Sequence, residues 1–382
     1  MPTNIALLGS TGSVGRQTLD VIERAPDQFK VVCLAAGSNV ELLEQQVRVH
    51  IPALVVSGKA LSASTTAETL PSSPESLIAA ATHPDVDLVV FAMSGHDGIA
   101  ATIAAIEAGK QVAIANKEAI VCAGDIIMPL AAQHGITIRP VDSEHSAIWQ
   151  SMASGIHDEV RRIVITASGG PFRTTPAEEL AHVTVEQAMK HPTWNMGGKI
   201  TVDSATLVNK GLELIEAHHL FAMPFDQIDI VIHPESIIHS LVEFVDGSTI
   251  AQLNQPDMRL PIQYALTWPR HHPGPVASLN LAEIGSLTFE EPDEDRFPAL
   301  RLARDAGLSG DTYPTVYSAV DEISVEAFAH GRLRFTAIPR LIETVLSRHS
   351  ATPVTSLDDV LDADQWARRE ATRLLAEIAA AG

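Results

Sequence analysis

Short apolar runs alternate with amphipathic segments through the first 140 or so residues. Residues 4–9 (NIALLG) read as a buried strand, and residues 13–25 carry Val14, Leu19 and Ile22 at helical spacing. A second apolar run at 30–36 (KVVCLAA) precedes a predicted helix over about 39–50. Further strand-length runs lie at 53–56, 88–91, 112–115 and 136–139, with a helical pattern over 97–109. Strands alternating with helices predict βαβ units and a parallel sheet covered on both faces, up to about residue 142. From about residue 160 the texture changes. Strand-like runs at 162–167, 228–232, 240–245 and 249–252 surround one long predicted helix, roughly 204–220. The turn Asp246-Gly247 predicts antiparallel pairing of the last two runs. Residues 269–298, rich in Pro, His and Gly, read as a linker, and the remainder as mostly helical.

Composition narrows the function classes. A chain of 382 residues fits two to three domains at about 150 residues each. Hydrophobic residues at 46% and charged residues at 19% exclude a disordered chain. The net charge of −21 argues against nucleic acid or an anionic membrane as partner. An anionic ligand would therefore need local positive charge. Cys33 and Cys122, far apart in apolar runs, form no disulfide framework and no CxxC site, which fits a reducing compartment. The N-terminus lacks the basic region of a signal peptide, and no apolar run approaches the ~20 residues of a membrane span. A cytoplasmic protein is expected.

Five motifs carry candidate chemistry. Gly9-Ser-Thr-Gly12-Ser-Val-Gly15 sits between the first strand and the first helix, where glycines permit a tight turn and helix N–H groups meet a pyrophosphate. An NAD site places an acid at the end of the second strand; here that stretch reads Ala35-Ala36-Gly37-Ser38-Asn39, which favours a 2′-phosphate and NADP. Asn116-Lys117-Glu118 follows the strand 112–115, at the end where ligands gather, although a solvated loop lysine has the same string. Asp142-Ser143-Glu144 places two carboxylates where they can meet a hard cation such as Mg²⁺ or Mn²⁺. An ordinary helix N-cap with a first-turn acid would look alike.

On the long helix, Asn209 and Glu213 share a face and Lys210 flanks Glu213, in a stripe with Thr206 that is either a site or a wet face. His191-Pro-Thr-Trp194-Asn-Met196-Gly197-Gly198 has the make-up of a mobile flap over 189–199, with Trp194 as an apolar lid over a substrate. Upstream, Ser168-Gly169-Gly170-Pro171 ends a strand and can place Ser168 on a phosphate. The pair His233 and His239 lacks the spacing of a metal motif.

The strings GSTGSVG, NKE, DSEH, SGGPF, HPTWNMG and DSATLVNKGLELIEA, in this order, closely resemble the 1-deoxy-D-xylulose 5-phosphate reductoisomerases from residue 4 to about 265, and EAFAHGRLRF continues the likeness. The resemblance implies an NADPH-dependent enzyme of non-mevalonate isoprenoid synthesis. It would convert 1-deoxy-D-xylulose 5-phosphate to 2-C-methyl-D-erythritol 4-phosphate as a homodimer, with Mg²⁺, Mn²⁺ or Co²⁺. The implied fold is α/β: a Rossmann-like NADPH-binding domain over 1–142, an α+β catalytic and dimerisation domain with a flap over 143–268, the linker 269–298, and a helical domain over 299–382.

By the same resemblance the metal falls to Asp142, Glu144 and Glu213, and Ser143, Glu144 and Lys117 meet the oxygenated end of the substrate. Its phosphate falls to Ser168, Ser204, Asn209 and Lys210, with His191 against the substrate under the flap. NADPH would use Thr11, Gly12, Ser13, Val14, Gly37, Ser38, Asn39, Asn116, Glu118 and Gly197. The family often has lysine where this chain has Ser38. Two other readings fit the nucleotide motif alone: a plain NADP-dependent dehydrogenase, and a non-catalytic NADP-sensing regulator.

Overall fold

The predicted alternation folds as parallel βαβ units in a computed structural model that describes residues 1–62, 65–194 and 197–381. In chain order come β1 (Thr3–Leu8), α1 (Ser13–Glu23), β2 (Phe29–Ala36), α2 (Val40–His50), β3 (Leu54–Ser57) and β4 (Glu68–Pro71). They continue with α3 (Pro74–Ala81), β5 (Leu88–Phe91), α4 (Gly98–Glu107), β6 (Gln111–Ile114), α5 (Lys117–His134), β7 (Ile138–Pro140) and α6 (Ser143–Met152). Then follow β8 (Val160–Ala167), α7 (Val185–Ala188), α8 (Gly198–Thr206), α9 (Val208–Phe221), β9 (Ile228–Ile232), β10 (Ile238–Phe244) and β11 (Thr249–Leu253). The last helices are α10 (Arg259–Thr267), α11 (Leu281–Ile284), α12 (Ala299–Ser309), α13 (Tyr313–Ala329), α14 (Ala337–Arg348) and α15 (Leu357–Ala381). Among the described residues, no helix is long and apolar enough to cross a membrane.

The chain divides into two compact units. The first takes residues 1–120, 127–146 and 257–277. Its seven strands, all parallel, run in the order β4-β3-β2-β1-β5-β6-β7. Strand pairing therefore reverses direction at β1, whose neighbours are β2 and β5. The crevice beyond the carboxyl ends of β1 and β5 is the ligand-binding position of such sheets. Ile5, Leu7, Leu34, Val55, Leu88 and Val90 from the strands pack in one core with Leu19 and Ile22 of α1, Leu43 of α2, and Ile262 and Leu266 of α10. That packing of α10 places residues 257–277 with the first unit, where the sequence grouped them with the catalytic segment and the linker.

The second unit takes residues 121–126, 147–256 and 278–382. Its mixed sheet has the order β11-β10-β8-β9: β10 is antiparallel to β11 and β8, and β8 is parallel to β9. Two expectations need correction. The single helix 204–220 is two helices, α8 and α9, parted by Leu207 in the left-handed region at φ 62°. The stretch 278–298 is no free linker: Glu290 bridges Ile232, and Arg296 donates to the carbonyls of Thr175 at 2.6 Å and Arg173 at 2.9 Å.

The helices after residue 298 belong to this unit. Lys199 of α8 pairs with Asp321 of α13 at 2.8 Å, and Tyr317 of α13 donates to the Ala299 carbonyl at 3.0 Å. Gly211 lets α9 come close to these helices, since a Cβ there would lie 2.6 Å from Ala303 Cβ and 2.8 Å from the Tyr317 hydroxyl. Overpacking of this kind costs about 1–3 kcal/mol. Gly211→Ala is thus expected to lower the melting temperature by several degrees, measured by thermal unfolding of the full chain.

Candidate active site

In the first unit the glycine motif makes a closed turn. Gly9 has φ +94°, and a Cβ on Gly15 would stand 2.2 Å from the Gly9 carbonyl oxygen, so neither position tolerates a side chain without moving the loop. The amides of Gly9 and Ser10 both donate to Ala35 O at 2.9 Å, which ties the turn to the end of β2. Gly12 caps α1 with extended backbone and no side-chain cap, and Thr11, Ser13 and Val14 are half-buried around it. Uncapped first-turn N–H groups are what a pyrophosphate needs.

One residue that sequence reasoning missed fixes this turn. Gln46 of α2 accepts from Ser10 Oγ at 2.7 Å and donates to Ser10 O at 2.9 Å, with both residues buried. No local pattern announces it, because the two residues are 36 positions apart. At the end of β2, Gly37, Ser38 and Asn39 are solvent-exposed or nearly so, and Asn39 caps α2 by accepting from Leu42 N at 3.2 Å.

At the end of β6, Asn116 is fully buried. Its amide donates to Gly95 O at 2.9 Å and accepts from Ala119 N at 2.8 Å, so it joins two loops and caps α5. Glu118, also buried, lies in the first turn of α5. Lys117 is no solvated loop lysine. It is 6% exposed and its Nζ lies 2.7 Å from Asp142 Oδ2. Ser143 Oγ donates to Glu144 Oε2 at 2.6 Å. The NKE and DSE strings thus form one charged group of this unit through the Lys117–Asp142 pair.

The second unit gathers most of the other predicted residues. His191 Nδ1 accepts from the backbone N–H of Thr193 at 3.1 Å and of Trp194 at 2.9 Å. That assigns the ring proton to Nε2, which lies 3.0 Å from Ser168 Oγ and 3.1 Å from Ser204 Oγ. Burial pushes the His191 pKa from 6.5 down to about 4, so the imidazole is neutral near pH 7. In α9, Glu213 accepts from Asn209 Nδ2 and Lys210 Nζ, both at 2.5 Å, while Lys210 also donates to Thr166 O at 2.6 Å. Lys210 and Glu213 are 4% and 1% exposed, which excludes the wet-face reading of this stripe.

Trp194 is half-buried, and its ring meets His239 edge-on with centroids 6.1 Å apart. His239, dismissed on spacing, is therefore a neighbour of the flap segment. His233 is structural, its Nε2 accepting from the amides of Ile237 and Ile238, both at 3.1 Å. Gly197 is exposed and caps α8. Met196, expected beside Trp194 in the lid, lies outside the described residues.

Comparison with known proteins matches this arrangement along nearly the whole chain. Residues 5–124 match the family model of 1-deoxy-D-xylulose 5-phosphate reductoisomerase, residues 138–221 its C-terminal domain model, and residues 253–370 the DXP reductoisomerase C-terminal domain model. The reductoisomerase of Thermomicrobium roseum is 52% identical, with 98% of both chains covered. That of Pelotomaculum thermopropionicum is 50% identical, covering 98% of this chain and 99% of its own. Among solved structures, the Zymomonas mobilis enzyme in complex with NADPH superposes with TM-score 0.90 at 42% identity, covering 98% of this chain and 99% of its own. A DOX-P reductoisomerase in complex with NADPH, fosmidomycin and magnesium reaches TM-score 0.92 at 37% identity with the same coverage.

The low pKa of His191 has a consequence for stability. Between the ordinary value of 6.5 and about 4, the folded chain binds fewer protons at this ring than the unfolded chain does. Its contribution is therefore intact above pH 6.5 and lost progressively as the pH falls towards 4. His191→Gln is expected to flatten that part of the curve of melting temperature against pH, compared with the parent chain.

Proposed function

The chain belongs to the 1-deoxy-D-xylulose 5-phosphate reductoisomerase family, and from that premise we propose how its own residues carry the activity. The reaction is the NADPH- and divalent-metal-dependent rearrangement and reduction of 1-deoxy-D-xylulose 5-phosphate to 2-C-methyl-D-erythritol 4-phosphate. One observation supports the assignment most: His191 Nε2 reaches the Ser168 and Ser204 hydroxyls within 3.1 Å, a convergence of neutral donors suited to a phosphate. Asn209 and Lys210 complete the phosphate ligands.

Asp142, Glu144 and Glu213, to which the family likeness gives the metal, would each offer a carboxylate oxygen, a donor type that suits Mg²⁺, Mn²⁺ or Co²⁺. Glu213 receives hydrogen bonds at both oxygens, from Asn209 and Lys210, so it is held oriented. When bound, the cation supplies Lewis acidity at the ketone and the dinucleotide supplies hydride to the rearranged aldehyde.

This chain's residues bind, orient and exclude water. Lys117, fixed beside Asp142, donates to a substrate oxygen, and Ser143 and Glu144 meet the adjoining hydroxyls. Trp194 covers the substrate and keeps the aldehyde from solvent. Thr11 to Val14 seat the pyrophosphate, Gly37 to Asn39 the adenosine end, and Asn116, Glu118 and Gly197 the rest of NADPH.

A dehydrogenase that relies on a reactive thiol is disfavoured by this chain: Cys33 is fully buried, its pKa pushed up by burial to about 12, and Cys122 is buried too. An NADP-sensing regulator has no use for three carboxylates suited to a cation. Two further parts of the proposal are a cytoplasmic location, in keeping with two free thiols, and a homodimer. Half-buried Val164, Val231 and Leu241 on the mixed sheet offer an apolar surface for a second copy.

The direct test is NADPH oxidation with 1-deoxy-D-xylulose 5-phosphate, with and without Mg²⁺; no metal-dependent oxidation would overturn the reading. Glu213→Gln keeps size and removes charge, so turnover is expected to fall by orders of magnitude while NADPH binding, followed by fluorescence, is retained. Near-normal activity at limiting Mg²⁺ would remove Glu213 from the site. Trp194→Ala is expected to raise KM and lower kcat with little change in melting temperature. A variant that unfolds readily but keeps its kinetics would make Trp194 a core residue.

A further inference from the structure

The use of NADPH leaves a charge unaccounted for. The loop after β2, Ala36-Gly37-Ser38-Asn39-Val40-Glu41, contains no cation, although a doubly charged 2′-phosphate has to be told from a hydroxyl there. We propose that Lys59, which follows β3, supplies that charge and is the residue that makes this chain discriminate NADPH from NADH. The proposal rests on the NADPH-dependent activity above and names the recognition element within its nucleotide site.

The register of the sheet brings Lys59 to the loop. β3 runs parallel to β2, and its last pair joins Ser57 to Ala36. Two residues past that last pair are Ser38 and Lys59, in the loops that leave the ends of these two neighbouring strands. The two loops are also bonded directly, because Gly58 N donates to Ala36 O at 3.1 Å and to Gly37 O at 3.2 Å. The backbone of Lys59 is fixed by one buried hydroxyl: Ser57 Oγ donates to Lys59 O at 2.7 Å and accepts from Lys59 N at 3.4 Å.

The lysine side chain is exposed, and among the described residues it is paired with no carboxylate. Its four-carbon stem can swing the ammonium over Ser38. Glu44 of α2 is engaged: it accepts from Ser62 N at 2.5 Å and Ser62 Oγ at 2.7 Å, and pairs with Arg48 at 3.5 Å. Arg48 is thereby drawn to Glu44. The other basic residue near the nucleotide motif, Arg16, stands exposed in the first turn of α1, on the pyrophosphate side of the sheet switch. Lys59 is the cation placed by β3 at the adenosine side.

The test uses two fragments that differ only in the phosphate, 2′,5′-ADP and 5′-AMP, titrated calorimetrically into the full chain. Lys59→Ala is expected to weaken 2′,5′-ADP by about tenfold, the scale of one charge-assisted contact, and to leave 5′-AMP within about twofold. Lys59→Arg should restore the preference, and the difference should shrink as salt is raised. Arg16→Ala should leave the ratio of the two affinities as it is.

An unchanged ratio in Lys59→Ala, an equal loss for both fragments, or loss of the ratio in Arg16→Ala would each overturn the proposal. A parent chain that binds both fragments alike has no 2′-phosphate site, which overturns it as well. Failure of the enzymatic reading is recognised separately: 2′,5′-ADP would still bind preferentially, with no NADPH oxidation on addition of substrate and Mg²⁺.

Discussion

Anions must be bound by a chain with 26 basic and 47 acidic side chains. Long-range steering works against a sugar phosphate and a dinucleotide here, so the attraction has to be local and fixed in place. Three lysines of the chain are held in ion pairs. Lys117 is 2.7 Å from Asp142, Lys210 is 2.5 Å from Glu213, and Lys199 lies 2.7 Å from Asp203 and 2.8 Å from Asp321. Taking such charges out of water costs several kcal/mol per ion, and the pair recovers this only when further hydrogen bonds satisfy both partners. Lys210 illustrates the condition, since it also donates to the Thr166 carbonyl at the end of β8. A lysine so restrained is fixed in place and cannot wander to the acidic surface.

The same constraint shapes the backbone around Leu207. A continuous helix through this position would keep Ser204 and the Asn209–Glu213 stripe on the rotation of one axis. Instead Leu207 takes a left-handed conformation at φ 62°, ψ 11°, which ends α8 just after Ser204 and starts α9 on a new axis. A non-glycine residue in that region costs of order 1–3 kcal/mol. Leu207 is 4% exposed, and the burial of its side chain offsets a cost of that size. Lys210 can then reach the end of β8 while Ser204 faces His191.

How much of this was legible follows from the range of the interactions involved. The parallel strands announced themselves because both faces are buried and their sequences are continuous apolar runs, as in Leu88–Phe91. β4, with the sequence ETLP and mostly exposed, gave no such signal. α5 hid its period behind a nearly unbroken apolar sequence, Pro129 and a kink at Ala123. The Asn209, Lys210 and Glu213 group was readable since one helical turn brings it together, but its burial was not. Gln46 on Ser10 and Asp321 on Lys199 are contacts across tens to more than a hundred residues, and only the folded chain displays them. Asp321 likewise ties the helices after residue 298 to Lys199 of α8, a contact no local pattern announces.

His191 shows what a neutral group contributes in a chain this acidic. One edge of its ring accepts two backbone N–H groups, from Thr193 and Trp194, and the other edge carries the proton between two serine hydroxyls. A second proton on Nδ1 would put three donors face to face, and burial already disfavours the charged ring. The protonation state of the imidazole and the conformation of the segment carrying Trp194 are therefore one variable. While the ring stays neutral, the backbone beneath Trp194 is pinned to the same group that organises Ser168 and Ser204. The backbone at Trp194 and the Ser168 and Ser204 hydroxyls are linked through a single rigid ring that carries no charge of its own.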